Sequence, residues 1–144
     1  MAQWIGVFIG IISGISGLTL GIMNYLRDNP KLVVHLTWDL EPFGDIPFEK
    51  DKLYGVIQIT NTGRRPIFIS HVTIRIPNHK ELLITDSIQG EKLAEGDQPK
   101  IYPITQAGLE EFGDFWDKMY AVVRDSAGKE YLSAPIQNKP GWAK

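Results

Sequence analysis

The sequence lacks cysteine, and it lacks charged residues over its first 26 positions. Without cysteine the chain has no disulfide framework, no thiolate nucleophile and no cysteine-based zinc site. All 32 charged residues, 15 basic and 17 acidic, lie at or after Arg27. The net charge of −2 argues against a nucleic-acid-binding protein that neutralises many phosphates. The 144 residues therefore divide into an uncharged segment and a soluble domain of ordinary size.

The chain also lacks the short motifs of common enzyme classes, such as GxSxG, a Walker loop, GxGxxG or HExxH. Its histidines, His35, His71 and His79, do not have the spacing of a metal site. Acidic residues alternate with aromatic residues between positions 106 and 117. This pattern favours an amphipathic helical turn over a glycosidase carboxylate pair or a calcium loop. We therefore expect a protein that is not an enzyme, with no catalytic residue, no bound metal and no cofactor.

Residues 4–23 have the length and composition of a membrane-spanning segment. Twelve of these twenty residues are large and apolar, five are glycine, and three are serine or threonine. Twenty helical residues rise about 30 Å, the thickness of the hydrocarbon core of a bilayer. Trp4 and Tyr25 stand at the ends as interfacial anchors, and Arg27 ends the uncharged segment. A cleaved signal peptide fits less well, since the segment has no basic start and no small-residue cleavage site.

We accordingly predict a transmembrane helix over about residues 4–26, within an N-terminal unit of residues 1–30. No lysine or arginine precedes the helix, whereas Arg27 and Lys31 follow it. The positive-inside rule then places the C-terminal domain in the cytoplasm, with the helix in the inner (cytoplasmic) membrane.

The glycines of this segment share one side of the predicted helix. At about 100° per residue they project into an arc of roughly 80°. These residues are Gly6, Gly10, Gly14, Gly17 and Gly21. Such stripes allow close approach of helix backbones in a bilayer, so the stripe predicts association with a second copy or another transmembrane protein. The alternative is that glycine is simply frequent in membrane helices.

Residues 31–144 carry β-strand patterns separated by turn markers. Residues 32–38 alternate between apolar and polar side chains, and residues 53–60 and 66–76 form two further strand patterns. Within the third pattern the apolar phase shifts near Ser70 and His71. This shift predicts a bulge or bend of the kind that a strand uses when it changes sheets.

Further short strands are expected later in the chain, with a helical turn near residues 106–117. Their positions are around 81–85, 101–105, 120–124 and 130–133. Seven or so short strands over about 110 residues predict a mainly β protein, with an immunoglobulin-like β-sandwich at residues 31–144. A small closed β-barrel is the alternative.

Two turn motifs in residues 31–144 resemble those of a known group of proteins. The run IQITNTGRRPIFISHVTI contains an N-x-G-x-x-P hairpin, and YAVVRDSAGKEYLS contains a V-x-D-x-x-G hairpin. The matching residues are Asn61, Gly63 and Pro66, then Val123, Asp125 and Gly128. This pattern resembles small bacterial and phage-encoded single-pass membrane proteins with a C-terminal immunoglobulin-like domain. The resemblance implies that fold behind one N-terminal helix, and it implies no catalytic or binding residues.

Arg64 and Arg65 stand at the predicted tip of the first hairpin. They could contact a lipid headgroup or another anionic partner, or they could simply be solvated. Together these observations predict a non-enzymatic protein, anchored in a lipid bilayer, whose β-domain interacts with or senses a partner. The alternative is a membrane-acting effector of a bacterial antiviral system, whose helices oligomerise and perturb the bilayer.

Overall fold

The computed structural model describes residues 2–44, 48–49, 51–78, 80–88 and 90–144, without the side chains of residues 2–6, 8 and 9. His79 lies outside the described residues. One α-helix and eight strands make up the regular elements of the described chain: α1 (Ala2–Arg27), β1 (Leu32–Leu40), β2 (Tyr54–Asn61), β3 (Ile67–Arg75), β4 (Glu81–Ile84), β5 (Glu91–Leu93), β6 (Lys100–Thr105), β7 (Tyr120–Asp125) and β8 (Glu130–Leu132). Two 3-10 helices cover Thr85–Ser87 and Leu109–Lys118.

The strands form two antiparallel sheets. One sheet has the order β1-β2-β6, and the other has the order β4-β3-β7-β8, with β5 also pairing with β3. Among the described residues no strand of one sheet pairs with a strand of the other. The protein is therefore mainly β, and its two separate sheets are consistent with a β-sandwich.

Alternation along the strands places the core between the sheets. In β1, Val34 and Trp38 are buried, whereas His35 and Thr37 are exposed. The largest side chains with no accessible surface come from several strands: Ile57, Ile59, Ile69, Ile74 and Leu93. A period of two along β1 and β2 gives this separation into a more buried and a less buried side.

The irregularity predicted in β3 is present. Its pairing with β7 shifts register between Ile69 and His71, so the prediction of a bulge near Ser70 and His71 is confirmed. The strand does not change sheets, however, because residues before and after the bulge both pair with β7. The extra residue restores the inward direction of Val72, which has no accessible surface.

The last hairpin is organised by the buried carboxylate of Asp125. Its Oδ1 accepts hydrogen bonds from the backbone N–H groups of Ala127 (3.0 Å) and Lys129 (2.9 Å). Its Oδ2 accepts a hydrogen bond from the Tyr131 hydroxyl at 3.2 Å. Burial, with a contribution from Asp125, raises the pKa of Tyr131 to about 12. Gly128 has a φ of +83°, which explains the glycine at this turn position.

The residues after β8 return to the far end of β1. The ring of Trp142 packs edge-on against Trp38, with ring centroids 5.3 Å apart. The backbone N–H of Gly141 donates a hydrogen bond to Asp39 Oδ2 at 2.7 Å. The N–H of Lys144 donates to the carbonyl of Gly113 at 3.3 Å. This tail therefore covers the end of the sandwich that lies away from α1.

Candidate functional site

The β2–β3 hairpin tip is shaped by the side chain of Asn61. Its amide nitrogen donates hydrogen bonds to the carbonyls of Arg65 (2.8 Å) and Leu93 (2.9 Å). Its Oδ1 accepts a hydrogen bond from the N–H of Gly63 at 2.9 Å. Asn61 is buried, so these three bonds satisfy polar atoms that would otherwise be unfavourable in the interior. The asparagine of the turn motif therefore fixes the conformation of the tip.

This tip packs directly against the short connection between α1 and β1. The N–H of Thr62 donates a hydrogen bond to the carbonyl of Lys31 at 3.0 Å. A Cβ atom at Gly63 would lie 2.8 Å from both the Asn29 oxygen and the Lys31 nitrogen. Only glycine leaves room for this approach of backbone to backbone. The hairpin tip is therefore held beside the C-terminal end of the helix.

A cleft of about 270 Å³ lies at this junction, and we call it the basal cleft. Its lining residues are Arg27, Lys31, Thr62, Gly63, Arg64 and Glu95. Three cations and one carboxylate thus surround the cleft. Among the described residues, none of the three cations forms a salt bridge. The basal cleft therefore has an excess of positive charge that is free to attract an anion.

The two arginines of the hairpin tip have different positions. Arg64 lines the basal cleft, whereas Arg65 is exposed and does not line it. Lys129 adds another cation at this end, since its Nζ lies 3.5 Å from the carbonyl of Pro30. The position of Arg27 in the last turn of α1 is also favourable, because the carbonyl end of a helix attracts positive charge.

The glycines that the sequence predicts on one side of the helix, which we call the glycine face, belong to α1. Apart from the adjacent residues and the helix's own backbone, no described atom lies within 4 Å of the position that a Cβ would take at Gly10, Gly14, Gly17 or Gly21. Gly6 belongs to the same helix, and the side chain of Trp4 lies outside the described part of the chain. The other proposed interfacial residues, Tyr25 and Arg27, are exposed at the C-terminal end of the helix.

Large apolar side chains along α1 are more than half exposed. They include Val7, Ile11, Ile12, Ile15, Leu18, Leu20, Ile22 and Leu26. The hydroxyls of Ser16 and Thr19 donate to helix carbonyls four residues earlier, each at 2.8 Å, so they need no external partner. Within the part of the chain that the structure describes, no helix has the length and hydropathy needed to cross a membrane.

An ion-pair network that sequence reasoning missed covers the outer surface of the five-stranded sheet. Arg75 pairs with Glu81 and with Glu130, the latter at 3.0 Å. Arg124 Nη2 lies 2.6 Å from Glu130 Oε1, and Arg124 Nη1 lies 3.2 Å from His71 Nε2. Hydrogen bonds from Arg75, and then from Arg124, lower the pKa of Glu130. The bonds to Glu130 and Glu81 raise the pKa of Arg75.

A sequence signal for this network existed. Arg75 and Glu81 are six residues apart across one hairpin, and Arg124 and Glu130 are six apart across another. Opposite charges at directly paired positions of antiparallel strands stabilise the pairing. Because arginine side chains already pair with both carboxylates, we interpret the network as a surface feature that stabilises the sheet.

The acidic segment near residues 106–117 forms part of the second 3-10 helix. Leu109 and Phe112 are buried, while Glu110, Glu111 and Asp114 are exposed. Across the described residues, no three His, Asp or Glu side chains are grouped so that they could hold a metal ion.

The sequence was also compared with known proteins. It matches no protein-family profile and no curated protein.

Proposed function

We propose that this chain is a non-enzymatic, single-pass membrane protein that presents an immunoglobulin-like β-sandwich as an interaction domain. The observation that carries the proposal is the direct attachment of the basal cleft to the end of an apolar helix that carries no charged residue before Arg27. Two antiparallel sheets of three and five strands support the immunoglobulin-like assignment. The domain on this proposal is residues 31–144.

The apolar surface of α1 supports the proposal that lipid or protein, rather than water, surrounds this helix. A helix that is apolar on all sides is stable only when other protein or lipid covers it. Its side chains at Val7 and from residue 10 to 26 are exposed, and Gly10, Gly14, Gly17 and Gly21 face open space. The apolar run of the sequence, residues 4–23, also includes Trp4, Ile5, Phe8 and Ile9, whose side chains lie outside the described part of the chain. Support for the anchor therefore comes from the sequence of the whole segment.

The basal cleft supports contact with anionic lipid headgroups. Residues 28–31 are the whole connection between α1 and β1, so a membrane that surrounds α1 lies next to the cleft. A lysine or arginine close to an anionic membrane surface contributes about 1 kcal/mol. Arg27, Lys31 and Arg64 together would attract the domain to such a surface. The same basic residues favour the cytoplasmic side for the domain.

Extraction of membranes at alkaline pH tests the anchor. The full chain should remain in the membrane pellet after expression. Ile11→Lys combined with Ile15→Lys should release it, because each lysine near the centre of a spanning helix costs about 2.5–3.5 kcal/mol. The matched control is Leu83→Lys with Leu132→Lys, two exposed apolar residues of the sandwich, which should leave the protein in the pellet. Release of the unmodified chain would refute the anchor.

A fluorescent label tests the headgroup contact. Because the chain has no cysteine, Thr62→Cys gives a single labelling position at the basal cleft. An environment-sensitive dye there should respond to vesicles that contain phosphatidylglycerol more than to phosphatidylcholine alone. Arg27→Gln with Arg64→Gln should remove that difference. The control is Lys118→Gln, which should not remove it, because Lys118 precedes β7 and does not line the basal cleft. An equal response to both lipids would contradict the headgroup contact.

The exposed glycine face favours association of the helices as part of this function. Gly10→Ile with Gly14→Ile should abolish crosslinked oligomers in membranes, and unchanged oligomers would refute the association. Leakage of a dye from vesicles that contain the assembled protein would favour the alternative, an effector that perturbs the membrane. Intact vesicles would favour a role in interaction alone.

A further inference from the structure

A second cleft, of about 400 Å³, lies along β1, and we call it the edge cleft. Residues 35–39 of β1 form one wall, and residues 134–139, which follow β8, form the other. Each wall is a run of consecutive residues, so the edge cleft is a slot between two stretches of backbone. Residues 35–38 are extended and measure about 13 Å, and Asp39 has a φ of +59° where the β1–β2 register shifts, so the slot is long compared with a pocket for a small round ligand.

The backbone of β1 along this slot is unpaired on one side. Among the strands of the described residues, β1 pairs only with β2, so it is an edge strand of its sheet. In an antiparallel pair, alternate residues direct their N–H and C=O groups away from the partner strand. No backbone hydrogen bond joins β1 to residues 134–139 within the described chain. These outward-facing groups are therefore available to another strand.

Two residues at one end of the slot each carry a buried polar atom without a partner. Trp38 and Asp39 both line it, and Trp38 is more than nine-tenths buried. Neither Trp38 Nε1 nor Asp39 Oδ1 has a hydrogen-bond partner in the described structure. The indole needs an acceptor and the carboxylate needs a donor.

We propose that the edge cleft binds an extended peptide segment of a partner protein, which adds to the three-stranded sheet as a fourth strand beside β1. Main-chain hydrogen bonds along β1 provide the affinity, as in other cases of strand addition. Exposed polar side chains such as Thr37, Gln137 and Asn138 line the slot, so it accepts peptide residues of modest size. Peptide binding at the edge cleft does not depend on whether lipid surrounds α1. A negative result for peptide binding would therefore leave the proposed membrane anchor intact.

Selection of peptides on the full chain tests this proposal. Short random peptides displayed on phage are selected against the protein in nonionic-detergent micelles, and the best binder is then synthesised. N-methylation of alternate peptide amides should weaken its binding about tenfold or more, because it removes main-chain hydrogen bonds. N-methylation of the intervening amides should have little effect. Failure to select any peptide, or equal tolerance of both methylation patterns, would overturn the proposal.

A label placed after folding identifies the site. Gln137→Cys carrying a bulky maleimide should block the slot and abolish peptide binding. Leu83→Cys with the same label, on the outer surface of the other sheet, should bind within about twofold of the unlabelled protein. Binding that survives the label at position 137 would overturn the assignment of the site. A dimer that dissociates on this labelling would show that a second copy, not a partner peptide, occupies the cleft.

Discussion

Gly55 lies against the ring of Trp38, and this contact gives the sharpest test of the packing. A Cβ atom at position 55 would lie 2.3 Å from Cζ3 and 2.4 Å from Cε3 of the indole. Carbon atoms that are not bonded approach to about 3.5–4.0 Å, so the ring would have to withdraw by more than about 1 Å. It has little room to do so, because Trp38 is only 8% exposed and packs edge-on against Trp142.

Gly55→Ala should therefore lower the free energy of unfolding by about 3 kcal/mol, the upper part of the range for an overpacked core. Urea unfolding of the full chain in nonionic micelles, followed by tryptophan fluorescence, measures the change as a lower midpoint at an unchanged slope. Gly141→Ala is the matched control at the same end of the sandwich. Its Cβ would lie 3.7 Å from Asp39 Oδ1, an ordinary contact, so we expect a change within about 0.5 kcal/mol.

A double-mutant cycle separates this contact from a general effect on β2. Trp38→Leu removes the ring atoms that the new methyl group would meet. In that background Gly55→Ala should lose most of its effect, giving a coupling of more than about 1.5 kcal/mol. An unchanged midpoint for Gly55→Ala, or the same loss in both backgrounds, would refute the steric explanation.

Three further predictions concern the hairpins and the ion-pair network. Gly63→Ala should lower the free energy of unfolding by about 2 kcal/mol or more, because its Cβ would meet backbone atoms at 2.8 Å. Limited proteolysis of this variant should then cut the connection between α1 and β1. A connection that stays intact would contradict this prediction. The Tyr131 pKa of about 12 lies above its unfolded value of about 10. The folded state therefore keeps a proton that the unfolded state loses, so stability should fall as the pH rises through this interval, and Tyr131→Phe should remove part of the fall in the urea midpoint. The lowered pKa of Glu130 has the opposite effect: its contribution to stability is present above the unfolded pKa of about 4.3 and is lost as the pH falls. Glu130→Gln should therefore reduce the loss of stability at acid pH in the same urea measurements. An unchanged loss at acid pH would contradict a stabilising role of the network.

The local features of the fold were predictable because they depend on neighbours in sequence. Alternation in residues 32–38 identified both sides of β1, and the loss of phase near Ser70 located the bulge. A lone glycine inside a strand pattern often indicates a close approach by another group. Gly55 carries that signal, although the sequence does not identify Trp38 as the neighbour. The ion pairs at equal spacing across two hairpins were predictable in the same way.

Contacts between distant segments were not predictable from these patterns. The tail after β8 has no alternation, and its packing of Trp142 on Trp38 joins residues far apart in sequence. The sequence placed Arg64 at a hairpin tip, but the hydrogen bond from Thr62 to Lys31 decides that this tip lies beside the helix. Such contacts depend on how the two sheets pack, which no local period encodes.

The two clefts lie at different ends of β1. Lys31 precedes β1 and lines the basal cleft, whereas residues 35–39 of β1 line the edge cleft. Trp38 and Asp39 lie about 20–23 Å along β1 from Leu32, so the polar end of the edge cleft is far from the basal cleft. One small anion cannot occupy both. A label at position 137 should therefore leave the lipid response of a dye at position 62 unchanged, and a loss of that response would show that the clefts form one site.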